Sequence, residues 1–195
     1  MDFMALPEKY KSPYNADITE GAIYEKELNS GFFTPENLVK AFPARYEKSE
    51  SWTTITPPPN ANGRLHVGHA LDATLKDIIG RFKRMQGKRV LMLPGSDHAG
   101  FETQVVYEKK LEKEGRSRFG MDRDLLYREI YDFTIANKDT VTSEVKRIGA
   151  SYDWSRDTFT LDAKVVSGVQ DTFIRMYKDG LIYRSKRDVN WCSKH

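Results

Sequence analysis

Apolar side chains recur along residues 67–85 at steps of three and four, which is the spacing of one face of an α-helix. The members of this stripe are Val67, Leu71, Leu75, Ile78, Ile79, Phe82 and Met85. Two opposite-charge pairs at i and i+4, Asp72 with Lys76 and Asp77 with Arg81, fall on the other side. The pattern predicts a long helix with its apolar stripe against a core and its charged pairs in water.

Short apolar segments flank this helix. Residues 52–56 are predicted as a buried strand before it, and residues 89–93 as a second strand after it, with Gly87 as the intervening helix C-cap. A strand, a helix and a strand with short connections form a right-handed crossover, so the two strands are expected to be parallel. The predicted fold class is therefore α/β.

Other segments carry weaker patterns. Further helices are predicted at about residues 17–28, 100–114, 122–148 and 162–178, and strand segments at 181–183 and 189–191. The first of these helices begins at a capping box formed by Asp17 and Glu20, and Asn137 interrupts the stripe of the third, which allows a kink there. Residues 31–50 contain two prolines and no clear period, and are interpreted as an arm lying on the main body.

Composition limits the class of protein. The 195 residues are 30% charged and 39% hydrophobic, which is typical of a soluble globular chain. The sequence has no apolar run of membrane-spanning length and no signal peptide, and its single cysteine excludes an internal disulfide and suits the reducing cytoplasm. The net charge of +3 does not by itself indicate nucleic acid. Basic clusters at 81–89 and 184–187 fit either a solvated surface or contact with an RNA backbone.

The chemistry concentrates in residues 57–69, PPPNANGRLHVGH. A proline run ends the first strand, a glycine turn follows, and His66 and His69 open the long helix on one face, because i and i+3 are neighbours. Unpaired N–H groups and a partial positive charge at a helix N-terminus favour an anion, most often phosphate. The segment predicts a nucleotide site.

Three interpretations compete for this segment. The simplest is a proline-glycine turn with two exposed histidines, but the flanking strands make this a poor account. A dinucleotide site requires Gly-x-Gly-x-x-Gly, which Gly63 and Gly68 do not match, and a P-loop requires Gly-Lys before Ser or Thr, which is absent. The third interpretation is adenylate transfer.

Residues 57–69 closely resemble the "HIGH" signature of the class I aminoacyl-tRNA synthetases, with HVGH at 66–69. The lead-in residues 57–60 and 63–65 narrow the resemblance to the valyl-tRNA synthetases. Three further blocks, at 93–104, 148–160 and 180–192, follow at family-like spacing. The isoleucyl and leucyl families are similar but usually carry other residues around positions 98–100. The resemblance implies the first half of the class I synthetase Rossmann-like parallel sheet with flanking helices.

The resemblance also implies an activity, which is formation of valyl-adenylate from valine and ATP, with Mg²⁺ accompanying ATP, and transfer of valine to tRNA(Val). It assigns catalysis to His66 and His69. It assigns ATP binding to these two histidines together with Asn60, Gly63 and Gly68, and amino-acid binding to Pro58 and Asp97. The carboxylate of Asp97 would bind the valine ammonium. Asp97 could otherwise cap the next helix, but its place after a strand's carboxyl end favours binding.

The resemblance further divides the chain into an N-terminal arm (1–50), the N-terminal half of the catalytic domain (51–187) and the start of the editing insertion (188–195). Members of the family are several times longer, so the lysine-rich "KMSKS" loop is expected after His195, and this chain alone is expected to be weakly active. A non-catalytic nucleotide- or RNA-binding module remains the alternative. Cys192 and His195 make half of a zinc site at best, so no zinc is predicted.

Overall fold

The structure is a computed structural model that describes residues 13–192. Along this part of the chain the elements are α1 (Ala16–Ser30), α2 (Pro35–Ala41), α3 (Pro43–Tyr46), β1 (Ser51–Ile55), α4 (Val67–Met85), β2 (Arg89–Leu93), α5 (Gly100–Lys113), α6 (Arg123–Arg147) and α7 (Ala163–Lys178). The chain forms two compact units, one ending at Thr158 and the other beginning at Phe159. The α/β class is confirmed.

The sheet has two parallel strands, β1 and β2, joined by α4. Trp52 lies opposite Val90 and Ile55 opposite Leu93, so the predicted parallel pairing is confirmed. Pairing resumes beyond the strands, where the amide of Asp97 donates to the carbonyl of Pro59 over 2.9 Å. This second contact holds the segments that leave β1 and β2 side by side.

The core lies over β2. Val90 and Met92 of β2 pack with Val145 of α6 and with Ala150 and Tyr152 of the following loop. β1 lies at the edge of this core and alternates between exposed and half-buried residues, ending in Ile55, which is 72% exposed. The prediction of a buried β1 is therefore wrong, because the elements that cover the sheet are centred on its neighbour.

Helix α4 forms over the predicted residues, but its orientation was predicted wrongly. Every member of the apolar stripe at 67–85 is exposed, from 48% to 85%. The helix instead buries Ala73 and Gly80, and a Cβ at Gly80 would lie 2.3 Å from Sδ of Met92. The close approach of α4 to β2 therefore depends on small residues, and this turns the large apolar side chains outward.

The charged side of α4 faces protein. Arg81 and Asp77 form the predicted pair at 2.7 Å, but Arg81 also binds both carboxylate oxygens of Glu27 in α1. Asp77 accepts the amide of Ser151 over 2.7 Å, and Arg84 donates to the carbonyl of the same residue over 2.9 Å. Only the pair of Asp72 with Lys76 matches the predicted exposed arrangement.

Between residues 13 and 50 the chain packs on this core through α1, α2 and α3. Pro35 and Pro43 occupy the first turns of α2 and α3, where a missing N–H costs nothing. α1 is capped by Asn15, whose side chain accepts the amide of Ile18, so the predicted Asp17 capping box is wrong. The cap lies two residues earlier because Asn15, not Asp17, has the extended backbone that an N-cap needs.

Helix α6 begins at the predicted cap, Asp122, which accepts the amides of Asp124 and Leu125. It continues through Asn137, whose side chain donates to the carbonyl of Phe133 over 2.9 Å. The helix therefore runs without interruption from Arg123 to Arg147, including at Asn137, where the sequence allows a kink.

The second unit contains α7, and Gly180 follows this helix in a left-handed conformation with φ of +71°. Neither predicted strand segment, 181–183 or 189–191, is a strand in the described chain, and both Tyr183 and Trp191 are 82% exposed. A strand requires a neighbour to complete its hydrogen bonds, and these segments have none within the described residues. No helix between residues 13 and 192 has the length and hydropathy to cross a bilayer.

Candidate active site

An open cleft lies where β1 ends and α4 begins. We call it the α4 cleft, and its walls are Pro57, Pro58, Pro59, Asn60, Asn62, Arg64, Leu65, His66, Gly68, His69 and Asp72. It occupies the carboxyl end of a parallel sheet, which is where open α/β sheets bind ligands. The N-terminus of α4 opens into this cleft.

The two histidines cap α4 reciprocally. His66 is the N-cap, and its Nδ1 accepts the amide of Gly68 over 3.1 Å. His69 Nδ1 accepts the amide of His66 over 3.2 Å. The two rings lie 3.9 Å apart between centroids with an interplanar angle of 38°.

This arrangement fixes the tautomers of both rings. A backbone N–H can only donate, so Nδ1 of each histidine must be the unprotonated acceptor and Nε2 must carry the proton. Burial, followed by the neighbouring His66, holds the pKa of His69 below its ordinary value. His69 therefore presents a neutral imidazole with an Nε2–H donor at the start of a helix dipole.

Gly68 lies against the imidazole ring of His66. A Cβ at this position would lie 2.9 Å from Cε1 and 3.0 Å from Nδ1 of His66. Any larger residue would displace the capping imidazole, so the glycine serves the histidine pair directly.

Asp97 lies beside the cleft and not in its wall. Its backbone pairs with the segment after β1, since its carbonyl accepts the amide of Ala61 over 2.7 Å. Its Oδ1 accepts the amide of Ala99 over 3.2 Å and lies 3.4 Å from Nδ1 of His98. Ala99 is the N-cap residue of α5 and has the left-handed φ of 55°, so Asp97 supports a strained helix start.

The remaining predicted residues divide into two groups. Asn60 and Pro58 line the cleft together with the two histidines and Gly68. Gly63 lies in the adjoining turn, outside the lining, and a Cβ there would meet no atom within 4 Å. The backbone of Asn60 is bridged to that of Asp97, so the proposed ATP and amino-acid residues adjoin each other.

Sequence reasoning missed several polar residues at this site. Arg64 and Asp72 line the cleft, and Glu144 of α6 binds the turn between β1 and α4. Its spacing from Lys76 predicts only a helix ion pair for Asp72. No local pattern marks Glu144, because it lies 79 residues from its backbone partner Leu65.

Within residues 13–192 no group of three or more His, Cys, Asp or Glu side chains is placed to hold a metal ion. Cys192 is exposed, and the other half of the predicted Cys-x-x-His pair, His195, lies outside the described residues.

The chain belongs to the class I tRNA synthetases (I, L, M and V), whose family model matches residues 28–195. The predicted resemblance is thus confirmed over most of the sequence.

Among its relatives within this class are valine–tRNA ligases. That of Caenorhabditis elegans is 47% identical over 169 residues, which are 86% of this chain and 16% of that protein. That of Dehalococcoides mccartyi strain CBDB1 is 41% identical over 189 residues, which are 97% of this chain and 20% of that protein. The chain therefore spans a fifth or less of the length of these relatives.

A solved structure supports the fold. The ternary complex of Agrobacterium radiobacter K84 LeuRS with tRNA and LeuAMS matches 71% of this chain and 16% of that chain, with a TM-score of 0.56 and 24% identity. At this identity the match concerns the fold alone, and together with the family model it confirms the predicted half-fold of parallel strands with flanking helices.

Proposed function

We propose that this chain forms the ATP-binding half of the catalytic domain of a cytoplasmic valine–tRNA ligase. The observation that carries the proposal is the reciprocally capped histidine pair at the N-terminus of α4, in the cleft at the carboxyl end of the sheet. The 38 to 47% identity to valine–tRNA ligases favours valine over the related amino acids.

The histidines would act on the phosphates of ATP. In the first step a carboxylate oxygen of valine attacks the α-phosphorus, and the bond from that phosphorus to the pyrophosphate oxygen breaks. Such transfers are accelerated mainly by positioning and by stabilising charge. The Nε2–H groups of His66 and His69 supply donors at that place, at the positive end of the α4 dipole. Neutral donors held by the helix backbone need no reorganisation as charge develops.

The amino acid would lie beside the nucleotide. The carboxylate of Asp97 binds the valine ammonium, and Pro58 forms a wall of the valine pocket. Asn60 shapes the ATP side, and Gly63 lets the turn pass close to the nucleotide. Transfer of valine from the adenylate to tRNA(Val) completes the reaction.

Mg²⁺ would arrive on ATP. The described residues provide no cluster of acidic side chains for a protein-held ion, and magnesium commonly stays on substrate phosphates with several waters. When bound it neutralises phosphate charge, and the side chains of this chain orient the triphosphate.

The test is valine-dependent ATP–pyrophosphate exchange by the full protein that carries this chain, compared with isoleucine and leucine. Valine is expected to give the highest kcat/KM. His66→Asn is expected to lower exchange by about 100-fold or more while preserving the melting temperature, because asparagine retains a good N-cap.

Two outcomes would contradict the proposal. Exchange with isoleucine or leucine at a higher kcat/KM than valine would show a different specificity. ATP binding with no exchange would support the non-catalytic nucleotide- or RNA-binding module instead.

A further inference from the structure

The turn between β1 and α4 is anchored to the rest of the protein by one side chain. Residues 62–65 make two hydrogen bonds to other parts of the described chain, and both end on the carboxylate of Glu144. The amide of Leu65 donates to Oε2 over 2.8 Å, and Nε of Arg64 donates to Oε1 over 2.7 Å. The next residue is His66, so the carboxylate acts one residue away from the histidine cap.

Glu144 is well placed to fix this turn. It belongs to α6, and its neighbours Val141 and Val145 are buried in the core. Its side chain is 20% exposed. The Leu65 amide, and then Arg64, hold the pKa of Glu144 below its ordinary value, so the carboxylate is ionised at neutral pH. The turn is therefore anchored to a long helix that is itself packed on β2.

The same carboxylate orients a cation at the cleft. Arg64 lines the α4 cleft, and its side chain is 83% exposed. Its ion pair uses Nε, and within residues 13–192 the two Nη nitrogens have no hydrogen-bond partner. A guanidinium held through Nε keeps two parallel N–H donors for an anion, which is the geometry suited to phosphate.

We propose that Glu144 is a positioning residue for the phosphate end of the α4 cleft. One oxygen fixes the turn that carries His66, and the other aims the guanidinium of Arg64 at the phosphates of the nucleotide. This inference rests on the proposed function, since it assumes that a nucleoside triphosphate occupies the cleft.

The two oxygens have separable roles. In Glu144→Gln the amide oxygen still accepts the Leu65 amide, but the NH₂ group offers Arg64 a donor where it needs an acceptor. In Glu144→Ala both contacts are lost. Removing Arg64 alone leaves the turn bound through Leu65.

The test uses ATP–pyrophosphate exchange by the full protein that carries this chain. Glu144→Ala is expected to raise KM for ATP by about tenfold and to lower kcat by about tenfold, with KM for valine within about twofold. Glu144→Gln is expected to recover kcat and keep the raised KM for ATP. Arg64→Ala is expected to match Glu144→Gln, and the double variant Arg64→Ala/Glu144→Gln to add nothing further.

A matched control lies on the same helix. Glu129 also binds an arginine, Arg116 at 2.7 Å, and a second donor, the hydroxyl of Tyr107 at 2.6 Å, but it is not part of the α4 cleft. Glu129→Ala removes an equivalent pair of contacts and is expected to leave both KM values and kcat within about twofold of wild type.

The outcomes distinguish the two proposals. Suppose that the wild-type protein shows normal exchange and that Glu144→Ala has the same kinetic constants as Glu129→Ala. That result would overturn the role of Glu144 but not the proposed function, whatever the change in melting temperature. An equal loss for ATP and valine would overturn it too, because that indicates general loosening. Absence of valine-dependent exchange by wild type would overturn both proposals.

Discussion

At the residue scale, the histidine pair shows how a backbone sets side-chain chemistry. The spacing of His66 and His69 places them on one helix face, but their tautomers follow from the amides that their Nδ1 atoms accept. A pair of exposed histidines in an extended segment would interconvert between tautomers. Here the start of α4 selects the tautomer with the proton on Nε2. The Nε2–H groups then remain as donors that can bind an anion.

Acid is expected to weaken this arrangement. Burial and then His66 lower the pKa of His69, so as pH falls below about 6.5 the unfolded chain takes up its proton before the folded chain does. The stability contributed by neutral His69 is therefore present above that pH and lost below it. In an NMR titration the pKa of His69 should lie below 6.5, and His66→Asn should move it upward. A pKa at or above 6.5 in wild type would contradict the capping geometry.

Asp97→Asn separates substrate binding from support of the α5 start. Asparagine keeps an oxygen for the Ala99 amide but loses the charge that would bind the valine ammonium. Because charge-assisted hydrogen bonds contribute about 1.5 to 3 kcal/mol, KM for valine should rise at least about tenfold with KM for ATP unchanged. Exchange kinetics measure both constants. An unchanged KM for valine would leave Asp97 with its structural role only.

At the element scale, α4 shows the limit of periodicity as a guide to orientation. Its stripe of large apolar residues is regular, yet the buried positions are Ala73 and Gly80, and Gly80 lies against Met92 of β2. Periodicity reports that a helix has two unlike faces. It does not report which face meets the sheet when a close approach requires small residues and the polar face has hydrogen-bond partners such as Glu27 and Ser151.

Gly80→Ala tests this packing. The new Cβ would lie 2.3 Å from Sδ of Met92, which is buried. Overpacking costs about 1 to 3 kcal/mol and outweighs the gain of up to about 1 kcal/mol in helix propensity, so a net loss of about 1 to 2 kcal/mol is expected in urea unfolding. Gly21→Ala in α1 is the control, since its Cβ meets no atom within 4 Å, and it should stabilise the chain by about 0.5 to 1 kcal/mol. Equal effects of the two changes would refute the close approach.

At the scale of the whole molecule, polar contacts bring distant segments together. Asp153 is 1% exposed and accepts the hydroxyl of Thr34, while Arg156 reaches both Asp153 and Glu36. These contacts join the N-terminal helices to the loop that follows α6. That loop also carries Tyr152, which packs in the core over β2.

Asp153→Ala should therefore destabilise the chain strongly. Removing a buried, multiply bonded carboxylate leaves donors unpaired and is expected to lower the free energy of unfolding by about 3 kcal/mol. Glu36→Ala removes the exposed partner of the same arginine and should cost less than about 1 kcal/mol. Urea titrations of the two variants measure the difference. Similar losses in both would show that Asp153 contributes no more than a surface ion pair.

The sequence by itself determined the α/β class, the parallel crossover, most helix positions and the histidine-bearing segment at the mouth of α4, because local spacing and turn chemistry encode each of them. The family followed from the same residues. Several features depended on the tertiary structure, including the outward stripe of α4, the edge position of β1, the tautomers of the histidines and the hold of Glu144 on the turn before His66. These depend on contacts between residues far apart in the chain, such as Gly80 with Met92 or Leu65 with Glu144, and no local pattern specifies which distant partner a side chain will meet.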